Sequence, residues 1–329
     1  MFEGKKILIT GGTGSLGQAL TKKLLKKNVN TVRIFSRNEN KQVTMESEIP
    51  DDRLRYFIGD VRDLPRLVKA MEDVDIVFHA AALKHVPIIE YNPFEAIKTN
   101  ILGSQNVIDA CLYENVETAV CVGTDKAVSP LNTYGATKLL MEKLFVTANN
   151  HTDRKRHRTK FVAIRYGNVL GSSGSVVPTL VKQIESGKNI TITDPNMTRF
   201  NITMNQALNF IIRSLKKGNG GEVFIPKLKA YSLGILKEAI LEVLEKDVKT
   251  ELISVRPGEK YHESLISSEE IRNTFEDKDD YVILEDSLQN NIKTKKSTLT
   301  NQYSSDVVEC LTKKELKKIL IEEKLVSTK

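Results

Sequence analysis

Two pairs of side chains in this sequence have the types and spacing needed for proton transfer. Tyr134 and Lys138 form a Tyr-x-x-x-Lys pair in a segment with helical periodicity, so both side chains lie on one helix face, a turn apart. A phenol has a pKa of about 10 and is a poor base at neutral pH, but a neighbouring ammonium stabilises its phenolate. The pair is therefore predicted to move a proton when an alcohol is oxidised, with Lys138 also reaching the ribose of a nicotinamide cofactor.

The second pair is Asp125 and Lys126, which follow Thr124 at the end of the apolar run TAVCVG. An alcohol oxidation or a 4-epimerisation needs only the phenol and the cofactor, and a Ser or Thr suffices at this place. An acid beside an amine indicates further proton transfers. Once C4 of a hexose is oxidised, its C5 hydrogen becomes acidic, and loss of the C6 hydroxyl needs a base at C5 and an acid at C6. The pair thus favours dehydration without net redox change, and the alternative is a surface Asp-Lys turn.

A glycine-rich turn precedes both pairs. Gly11, Gly14 and Gly17 lie in TGGTGSLG, directly after the strand pattern KKILI and before the helix pattern QALTKKLLKK. In this context the first glycine permits the turn, the second lets the backbone approach a pyrophosphate, and the third allows close helix–strand packing. The turn predicts dinucleotide binding, and its Gly-x-x-Gly-x-x-Gly spacing resembles that of short-chain dehydrogenases/reductases.

The end of the second strand distinguishes NADP from NAD. An NAD enzyme places an acidic residue there for the ribose 2′-hydroxyl, whereas this chain has Ser36 and Arg37. The guanidinium can bind a 2′-phosphate, and Lys41 adds a second positive charge. NADP is therefore the predicted cofactor, with Glu39 expected to point along the following helix. The predicted cofactor contacts are Gly11, Gly12, Thr13, Gly14, Ser15, Leu16, Gly17, Ser36, Arg37, Asn38, Lys41, Asp60, Val61, Ala80, Ala81, Ala82, Lys84, Tyr134, Lys138 and Val169.

The elements that must position these residues follow a regular pattern. Short β-branched runs alternate with helix-length segments up to about residue 170, which indicates a doubly wound parallel α/β sheet of the Rossmann type. Ligands of such sheets bind at the carboxyl ends of the strands. The predicted domains are a dinucleotide-binding domain at 1–170 and, at 171–329, a smaller substrate-binding lobe with a C-terminal helix that Thr312 caps. The segment from Asp286 onward has no predicted function beyond packing or an oligomer surface.

Composition excludes several other classes. The chain has 329 residues, 40% hydrophobic and 28% charged, as ordinary globular proteins do. Its net charge of +7 is spread along the sequence without a nucleic-acid motif, so an anionic small substrate explains it better. No apolar run is long enough to span a membrane, and no signal peptide is visible. The three cysteines lack metal-ligand spacing and are expected to be buried thiols, so we predict a cytoplasmic protein without a metal site.

Five segments together resemble one family. They are HAAALKHVPIIEYNPFEAIKTNILGSQNVIDA from His79, TDKAVSPLNTYGATKL from Thr124, RYGNVLGSSGSVVP from Arg165, TRFNIT from Thr198 and RPGEKYHE from Arg256. This combination is similar to the inverting UDP-N-acetylglucosamine 4,6-dehydratases of pseudaminic acid synthesis, in the extended short-chain dehydrogenase/reductase superfamily. Related enzymes acting on deoxythymidine-diphosphoglucose have Asp-Glu in place of Asp125-Lys126. Membrane-anchored retaining enzymes and capsule-type dehydratase/epimerases typically have Met in place of Tyr134.

The resemblance implies roles for individual residues. Lys126 would be the base at C5 and would reprotonate it on the opposite face, Asp125 the acid at C6, and Tyr134 the base at C4. To act as a base Lys126 must lose its proton, which desolvation or Lys84 favours and a charged Asp125 opposes. Lys84 would lie between cofactor and substrate, whereas His85 is expected to be structural. The implied contacts to the UDP-sugar are Lys84, Asn168, Val176, Arg199, Arg256 and Glu259.

The chain departs from the family pattern at a few positions. Asn201 replaces a frequent Trp, and Asn205 and Gln206 stand where Asp or Glu is common, so substrate contacts in the wall of the site are expected to differ. A homo-oligomer is expected. Two competing hypotheses stay open: a UDP-hexose 4-epimerase, which has no use for Asp125 beside Lys126, and a noncatalytic NADP-binding regulator, a class that usually loses the Tyr/Lys pair.

Overall fold

The structure is a computed structural model that describes residues 1–153, 155–172, 174–285 and 294–326. Its strands are β1 (Lys6–Thr10), β2 (Thr31–Ser36), β3 (Leu54–Ile58), β4 (Ile76–His79), β5 (Thr118–Val122), β6 (Lys160–Ile164), β7 (Ile190–Ile192), β8 (Thr198–Phe200), β9 (Val223–Pro226), β10 (Ala230–Ser232), β11 (Thr250–Leu252), β12 (Ser264–Ile266), β13 (Thr274–Glu276), β14 (Asp280–Ile283), β15 (Lys295–Lys296) and β16 (Tyr303–Ser304). Its α-helices are α1 (Ser15–Leu25), α2 (Glu39–Glu48), α3 (Leu64–Met71), α4 (Val86–Tyr91), α5 (Pro93–Ala96), α6 (Gly103–Tyr113), α7 (Thr133–Ala148), α8 (Val176–Glu185), α9 (Met204–Lys217), α10 (Leu233–Leu244) and α11 (Lys313–Glu322). A π-helical segment covers Ile97–Leu102, and 3₁₀ turns cover Asp125–Ala127 and Ile271–Asn273.

One large sheet organises the molecule, with strand order β15-β13-β14-β9-β6-β5-β4-β1-β2-β3. The strands from β9 to β3 are parallel to their neighbours, and β14, β13 and β15 add antiparallel pairs at one edge. The predicted doubly wound fold is confirmed. The strand order reverses beside β1, which places the glycine turn and the end of β4 at the crevice where such sheets bind ligands.

Two layers of helices cover this sheet. Apolar residues of α1, α2 and α9 pack on one face, and those of α3, α6 and α7 pack on the other. Because both faces are covered, the central strands are almost wholly apolar, as TAVCV of β5 shows. The helices thereby fix the carboxyl ends of β1, β4 and β5 relative to one another, and these ends carry the predicted site residues.

The chain beyond residue 170 contributes to both parts of the molecule. A separate core joins α8, α10 and α11, with Leu316 and Leu320 of α11 buried in it. Yet β9 and α9, together with the antiparallel edge, complete the large sheet and its helical layer. The chain beyond residue 170 thus shares the large sheet with the part before it, because β9 returns to pair with β6.

Several local predictions can be compared with the structure. Thr312 caps α11 in a capping box with Glu315, which confirms the predicted cap. Cys111 and Cys121 are buried, but Cys310 is exposed, so the expectation of three buried thiols was wrong for Cys310, which lies on a surface segment that bridges to Ala230. Within the described ranges, every helix is too short or too polar to be a membrane span. Residues 286–293 and 327–329 of the functionally unassigned tail lie outside the described residues.

Candidate active site

The glycine turn has the geometry of a phosphate cradle. Gly11 has a φ of +67°, and a Cβ added to it would lie 2.9 Å from the backbone of Ala81. Gly14 is the N-cap of α1 and supplies no side chain there, so the first amides of the helix are left for an anion. A Cβ on Gly17 would meet the carbonyl oxygen of Gly12 at 2.5 Å, which is why only glycine lets the helix lie so close.

A cavity of about 610 Å³ extends from this turn along the ends of β1, β2, β4 and β5. The predicted cofactor contacts lie in its wall, with the exception of Gly12. A Cβ on Gly12 would instead meet the Ile34 side chain at 2.8 Å, so that glycine serves packing. The cavity is long enough to touch both the end of β2 and the Tyr134/Lys138 helix, and its residues therefore fit an extended dinucleotide.

The far end of this cavity is basic. Arg37 follows β2 with its side chain 54% exposed, and Asn38 caps α2 by accepting a hydrogen bond from the Lys41 N–H. The nearby Asp60 carboxylate is bound by Arg62 at 2.7 Å and lies 3.8 Å from Arg37, so its charge is already balanced. Burial would raise the pKa of Asp60, but the hydrogen bonds from Arg62 outweigh it and hold the pKa below its usual value. Glu39 is the first residue of α2 and is not part of the cavity wall.

Thr124, Asp125 and Lys126 begin the short turn after β5. The Thr124 hydroxyl donates to Oδ1 of Asp125 at 2.7 Å, and Nζ of Lys126 lies 3.1 Å from the same oxygen. Asp125 is fully buried and lines neither this cavity nor the second one described below, whereas Thr124 lines the dinucleotide cavity and Lys126 the second. The two proton-carrying groups are therefore in contact, with Lys126 facing the ligand space and Asp125 behind it.

A third charged group, Glu263, also contacts Lys126. Its Oε1 lies 3.3 Å from Nζ of Lys126, and Asn168 accepts a hydrogen bond from that Nζ at 3.2 Å. Burial would lower the pKa of Lys126, but the carboxylates of Asp125 and Glu263 outweigh it and raise the pKa above its usual value. These carboxylates thus favour the Lys126 ammonium, as expected for a charged Asp125, and they outweigh the opposing effect of desolvation.

Tyr134 and Lys138 lie on α7, as the helical spacing predicted, and both line the dinucleotide cavity. Burial raises the pKa of Tyr134, whereas the Lys126 charge and a hydrogen bond with Thr124 lower it. Lys138 is buried and donates to the carbonyl oxygen of Val122 at 2.7 Å, and burial lowers its pKa. Lys126 is therefore the cation that favours the phenolate, whereas the Lys138 ammonium is directed at the β5 backbone.

A second cavity, of about 620 Å³, adjoins the first and meets it at Lys84, His85 and Asn168. Its wall includes every predicted contact to the UDP-sugar: Lys84, Asn168, Val176, Arg199, Arg256 and Glu259. Arg199 is buried, and its Nη2 lies 3.2 Å from Oε1 of Glu259, whose other oxygen accepts from the Arg256 N–H. Glu259 thus holds the Arg199 guanidinium directly and Arg256 only through its main-chain N–H, at one side of the cavity.

The junction of the cavities is held by a π-helical segment. Asn100, buried within it, accepts a hydrogen bond from the Leu83 N–H at 2.8 Å and donates to the Leu83 carbonyl at 3.1 Å. The same amide donates to Thr137 of α7 at 3.0 Å. An insertion of this kind redirects one side chain of a helix, and here it fixes the loop that carries Lys84 between the two cavities.

Some residues lie where the sequence did not place them. Glu263 is the last residue of RPGEKYHE, one of the five segments that carry the family resemblance, but the sequence did not single it out. Its place in the site depends on its contact with Lys126, which is distant in the sequence. His85 was expected to be structural, but it is exposed and lines both cavities. Asn201, Asn205 and Gln206, expected to alter the substrate wall, line neither cavity: Asn201 is buried, Asn205 accepts from Lys23, and Gln206 completes the capping box of α9.

The doubly wound sheet, the glycine turn and the Tyr134/Lys138 helix define the extended short-chain dehydrogenase/reductase class. A family model described as "Polysaccharide biosynthesis protein" matches residues 7–285. The chain therefore belongs to the polysaccharide biosynthesis protein family and is an enzyme.

Individual relatives narrow the comparison. An inverting UDP-N-acetylglucosamine 4,6-dehydratase of Campylobacter jejuni is 50% identical over 86% of this chain and 84% of its own length, which confirms the resemblance drawn from the motifs. An uncharacterized membrane protein of Methanocaldococcus jannaschii is 43% identical over 98% of this chain and 96% of its own. A UDP-glucose 4-epimerase of Rickettsia rickettsii is 38% identical over 98% of this chain and 96% of its own length. The X-ray structure of Pen from Bacillus thuringiensis is 40% identical, with a TM-score of 0.93 over 99% of this chain and 100% of that one.

Proposed function

We propose that this enzyme is an NADP-dependent UDP-N-acetylglucosamine 4,6-dehydratase, a hydro-lyase that inverts C5. Its product would be UDP-2-acetamido-2,6-dideoxy-β-L-arabino-hex-4-ulose, and its place the first step of a pseudaminic-acid-like surface-sugar pathway in the cytoplasm. The observation that carries the proposal is the Lys126–Asp125 contact at 3.1 Å, with Lys126 facing the second cavity and Tyr134 facing the first. A base and an acid in contact, next to an oxidation site, are what β-elimination beside a new ketone requires.

The cofactor would occupy the dinucleotide cavity, with its pyrophosphate at Gly14 and the amino end of α1 and its 2′-phosphate at Arg37 and Lys41. The residues of this cavity would hold NADP, whose nicotinamide would supply the hydride chemistry: removal of a hydride from C4 of the sugar and its return at C6. Lys138 fixes the nicotinamide ribose, and Tyr134 takes the proton of the C4 hydroxyl. The Arg199 and Arg256 side chains hold the diphosphate of the sugar nucleotide, since forked donors suit phosphate oxygens.

The elimination would follow from the hydrogen bonds beside β5. The proton taken by Tyr134 passes to Asp125 through the Thr124 hydroxyl, which donates to Oδ1 of Asp125 and lines the same cavity as Tyr134. Asp125 then carries the proton that the C6 hydroxyl needs to leave as water, while the neutral Lys126 amine removes the C5 proton. Lys126 finally returns a proton to C5 on the opposite face. Because these groups exchange protons directly, their apparent pKa values belong to the cluster as a whole.

The second candidate function is a UDP-hexose 4-epimerase. It is favoured by the Rickettsia relatives, which match 98% of the chain including its C-terminal part. An epimerase needs Tyr134 and the dinucleotide, but its reaction does not use the contact between Lys126 and Asp125. Nuclear magnetic resonance of the product from UDP-N-acetylglucosamine separates the two, because a dehydratase gives a 4-keto-6-deoxy sugar and an epimerase a 4-hydroxyl sugar. A noncatalytic regulator is disfavoured by the intact Tyr134/Lys138 pair, and the homo-oligomer remains a prediction.

Arg37→Ala should weaken NADP binding about 10- to 100-fold and NAD binding less than threefold. The guanidinium can make a charge-assisted hydrogen bond to the 2′-phosphate, and hydrogen bonds to charged groups contribute about 1.5–3 kcal/mol. Titration of each dinucleotide into wild type and variant measures both effects. Lys41→Ala serves as the graded comparison and should give a smaller loss, since a lysine adds one point charge without a forked contact. Equal losses for NADP and NAD would contradict the assignment of Arg37.

A further inference from the structure

Glu263 has no part in the mechanism above, although it lies at the centre of the site. Its side chain is 4% exposed and contacts Lys126 through Oε1. It lines the second cavity, which is called the substrate cavity from here on. Its Oε2 is buried and has no hydrogen-bond partner. The nearest guanidinium, that of Arg199, keeps its Nε 4.0 Å from Oε1 and is engaged more closely by Glu259. Glu263 is therefore a buried carboxylate with one oxygen on Lys126 and the other open to accept a proton.

The C-terminal part of the chain fixes the backbone of Glu263. Strand β16 pairs with β12, and the Ser305 hydroxyl that follows β16 accepts a hydrogen bond from the Glu263 N–H at 2.9 Å. The Ser305 N–H donates in turn to the Glu263 carbonyl at 2.8 Å. The Ser305 hydroxyl also bonds Thr198, the residue before Arg199. The tail beyond residue 294, for which the sequence suggested only packing, thus holds Glu263 beside Lys126.

Lys126 needs a place to leave its proton. The Asp125 and Glu263 carboxylates in contact with it favour its ammonium, yet the proposed elimination requires its neutral amine at C5. Asp125 also has a buried oxygen without a hydrogen-bond partner, Oδ2, but the proposed mechanism uses Asp125 to carry the proton for the C6 hydroxyl. A sugar nucleotide that fills the cavity removes water from the Lys126–Glu263 pair, and desolvation disfavours both charges at once. The neutral amine beside a neutral carboxylic acid then becomes accessible.

We propose that Glu263 is a positioning residue that accepts the proton of Lys126 when substrate binds and holds it until the product is formed. The proton moves from the Lys126 ammonium to the Glu263 carboxylate, which leaves a neutral amine and a carboxylic acid. The amine takes the C5 proton, later returns a proton to C5, and then regains its own from Glu263. The number of protons is balanced over one turnover, and this inference rests on the proposed dehydratase function.

Glu263→Gln should lower kcat about 100-fold at neutral pH, within the range usual for general acid–base groups, with KM changed less than threefold. The variant's kcat should then rise with pH, because solvent must remove the Lys126 proton once Glu263 cannot. The direction in which kcat changes at neutral pH discriminates between Glu263 as a proton acceptor and Glu263 as a negative charge only. If Glu263 acted only through its charge, its loss would lower the pKa of Lys126, and activity at neutral pH would stay the same or increase. The other charged or titratable groups facing this pair are Asp125, Tyr134, Arg199, Tyr231 and Lys260.

A matched control lies in the same cavity. Glu259→Gln removes the same charge but contacts Arg199 in place of Lys126, so it should raise KM and leave the shape of the kcat–pH profile unchanged. Glu263→Asp keeps a carboxylate and should recover part of kcat. If Glu263→Gln fails to fold, Ser305→Ala, which loosens the Glu263 backbone, should lower kcat several-fold with the same rise toward high pH. A Glu263→Gln enzyme with wild-type kcat and a flat pH profile would overturn the proposal.

A readout without turnover separates this inference from the proposed function. Acetylation of Lys126 by acetic anhydride, followed by peptide mass spectrometry across a pH series, reports where the amine becomes neutral. In Glu263→Gln the labelling should begin at lower pH than in wild type, since one carboxylate less stabilises the ammonium. An unchanged labelling profile would refute the coupling of the two residues. If labelling begins at lower pH in Glu263→Gln than in wild type, but the wild-type enzyme gives no 4-keto-6-deoxy sugar, the coupling stands and the dehydratase proposal is refuted.

Discussion

Lys126→Met is expected to abolish formation of the 4-keto-6-deoxy sugar, with a loss of about 1,000-fold or more in kcat and unchanged dinucleotide affinity. Lys126 lines the substrate cavity and not the dinucleotide cavity, so cofactor contacts are preserved. The proposed mechanism assigns the C5 proton to the Lys126 amine, and general base groups contribute about 10²–10⁴ in rate. Loss of the Lys126 charge should also raise the pKa of Tyr134 and slow oxidation at C4. Tyr134 and the dinucleotide contacts remain, so the reduced cofactor should still accumulate and be visible by its absorbance.

The matched control for this variant is Lys182→Met, an exposed lysine on α8 outside both cavities, which should keep wild-type kcat. Loss of Lys126 leaves two buried carboxylates without their cation, so a thermal melt and a dinucleotide titration must accompany the assay. A folded Lys126→Met enzyme that still dehydrates the sugar at the wild-type rate would remove Lys126 from the mechanism.

Tyr134→Phe should block the reaction one step earlier. The phenol lines the dinucleotide cavity together with Thr124, and in the proposed mechanism it takes the C4 hydroxyl proton. We expect a loss of about 100- to 1,000-fold in kcat, and no accumulation of reduced cofactor, because oxidation itself fails. Rapid-mixing absorbance measurements distinguish this variant from Lys126→Met, in which the reduced cofactor builds up.

Tyr261→Phe is the control for the phenol, since Tyr261 is half exposed and outside both cavities. It should show wild-type kinetics. If Tyr134→Phe retained wild-type turnover, Tyr134 would not be the C4 base, and the chain of hydrogen bonds through Thr124 to Asp125 would lose its assigned role.

The predictions that agreed with the structure share a physical basis. Residues at the carboxyl ends of parallel strands lie at the same edge of the sheet, so the glycine turn after β1, Ser36 at the end of β2 and Thr124 after β5 could be brought together from strand patterns alone. Helical spacing likewise placed Tyr134 and Lys138 on one face of α7. These relations depend on local periodicity, and the sequence contains them directly.

The features that escaped prediction depend on contacts between distant segments. Nothing in the segment RPGEKYHE indicates that Glu263 meets Lys126, since that contact depends on β12 pairing with β16. The effect of Glu263 on Lys126 escaped prediction for the same reason. Glu263 adds to Asp125 in favouring the Lys126 ammonium, and only the Asp125 effect could be expected from the sequence. The boundary at residue 170 likewise hid the return of β9 to the large sheet, as strand order cannot be read from strand patterns.

The wild-type reaction in deuterium oxide tests most directly whether Lys126 removes the C5 proton and reprotonates C5 on the opposite face. Purified enzyme with UDP-N-acetylglucosamine should give a 4-keto-6-deoxy sugar that carries solvent deuterium at C5, because the lysine exchanges its protons with water. Ring coupling constants from nuclear magnetic resonance should show the inverted configuration in the first-formed product. A first-formed product with retained C5 would contradict the inverting mechanism, and a 4-hydroxyl epimer without loss of water would contradict the dehydratase account altogether.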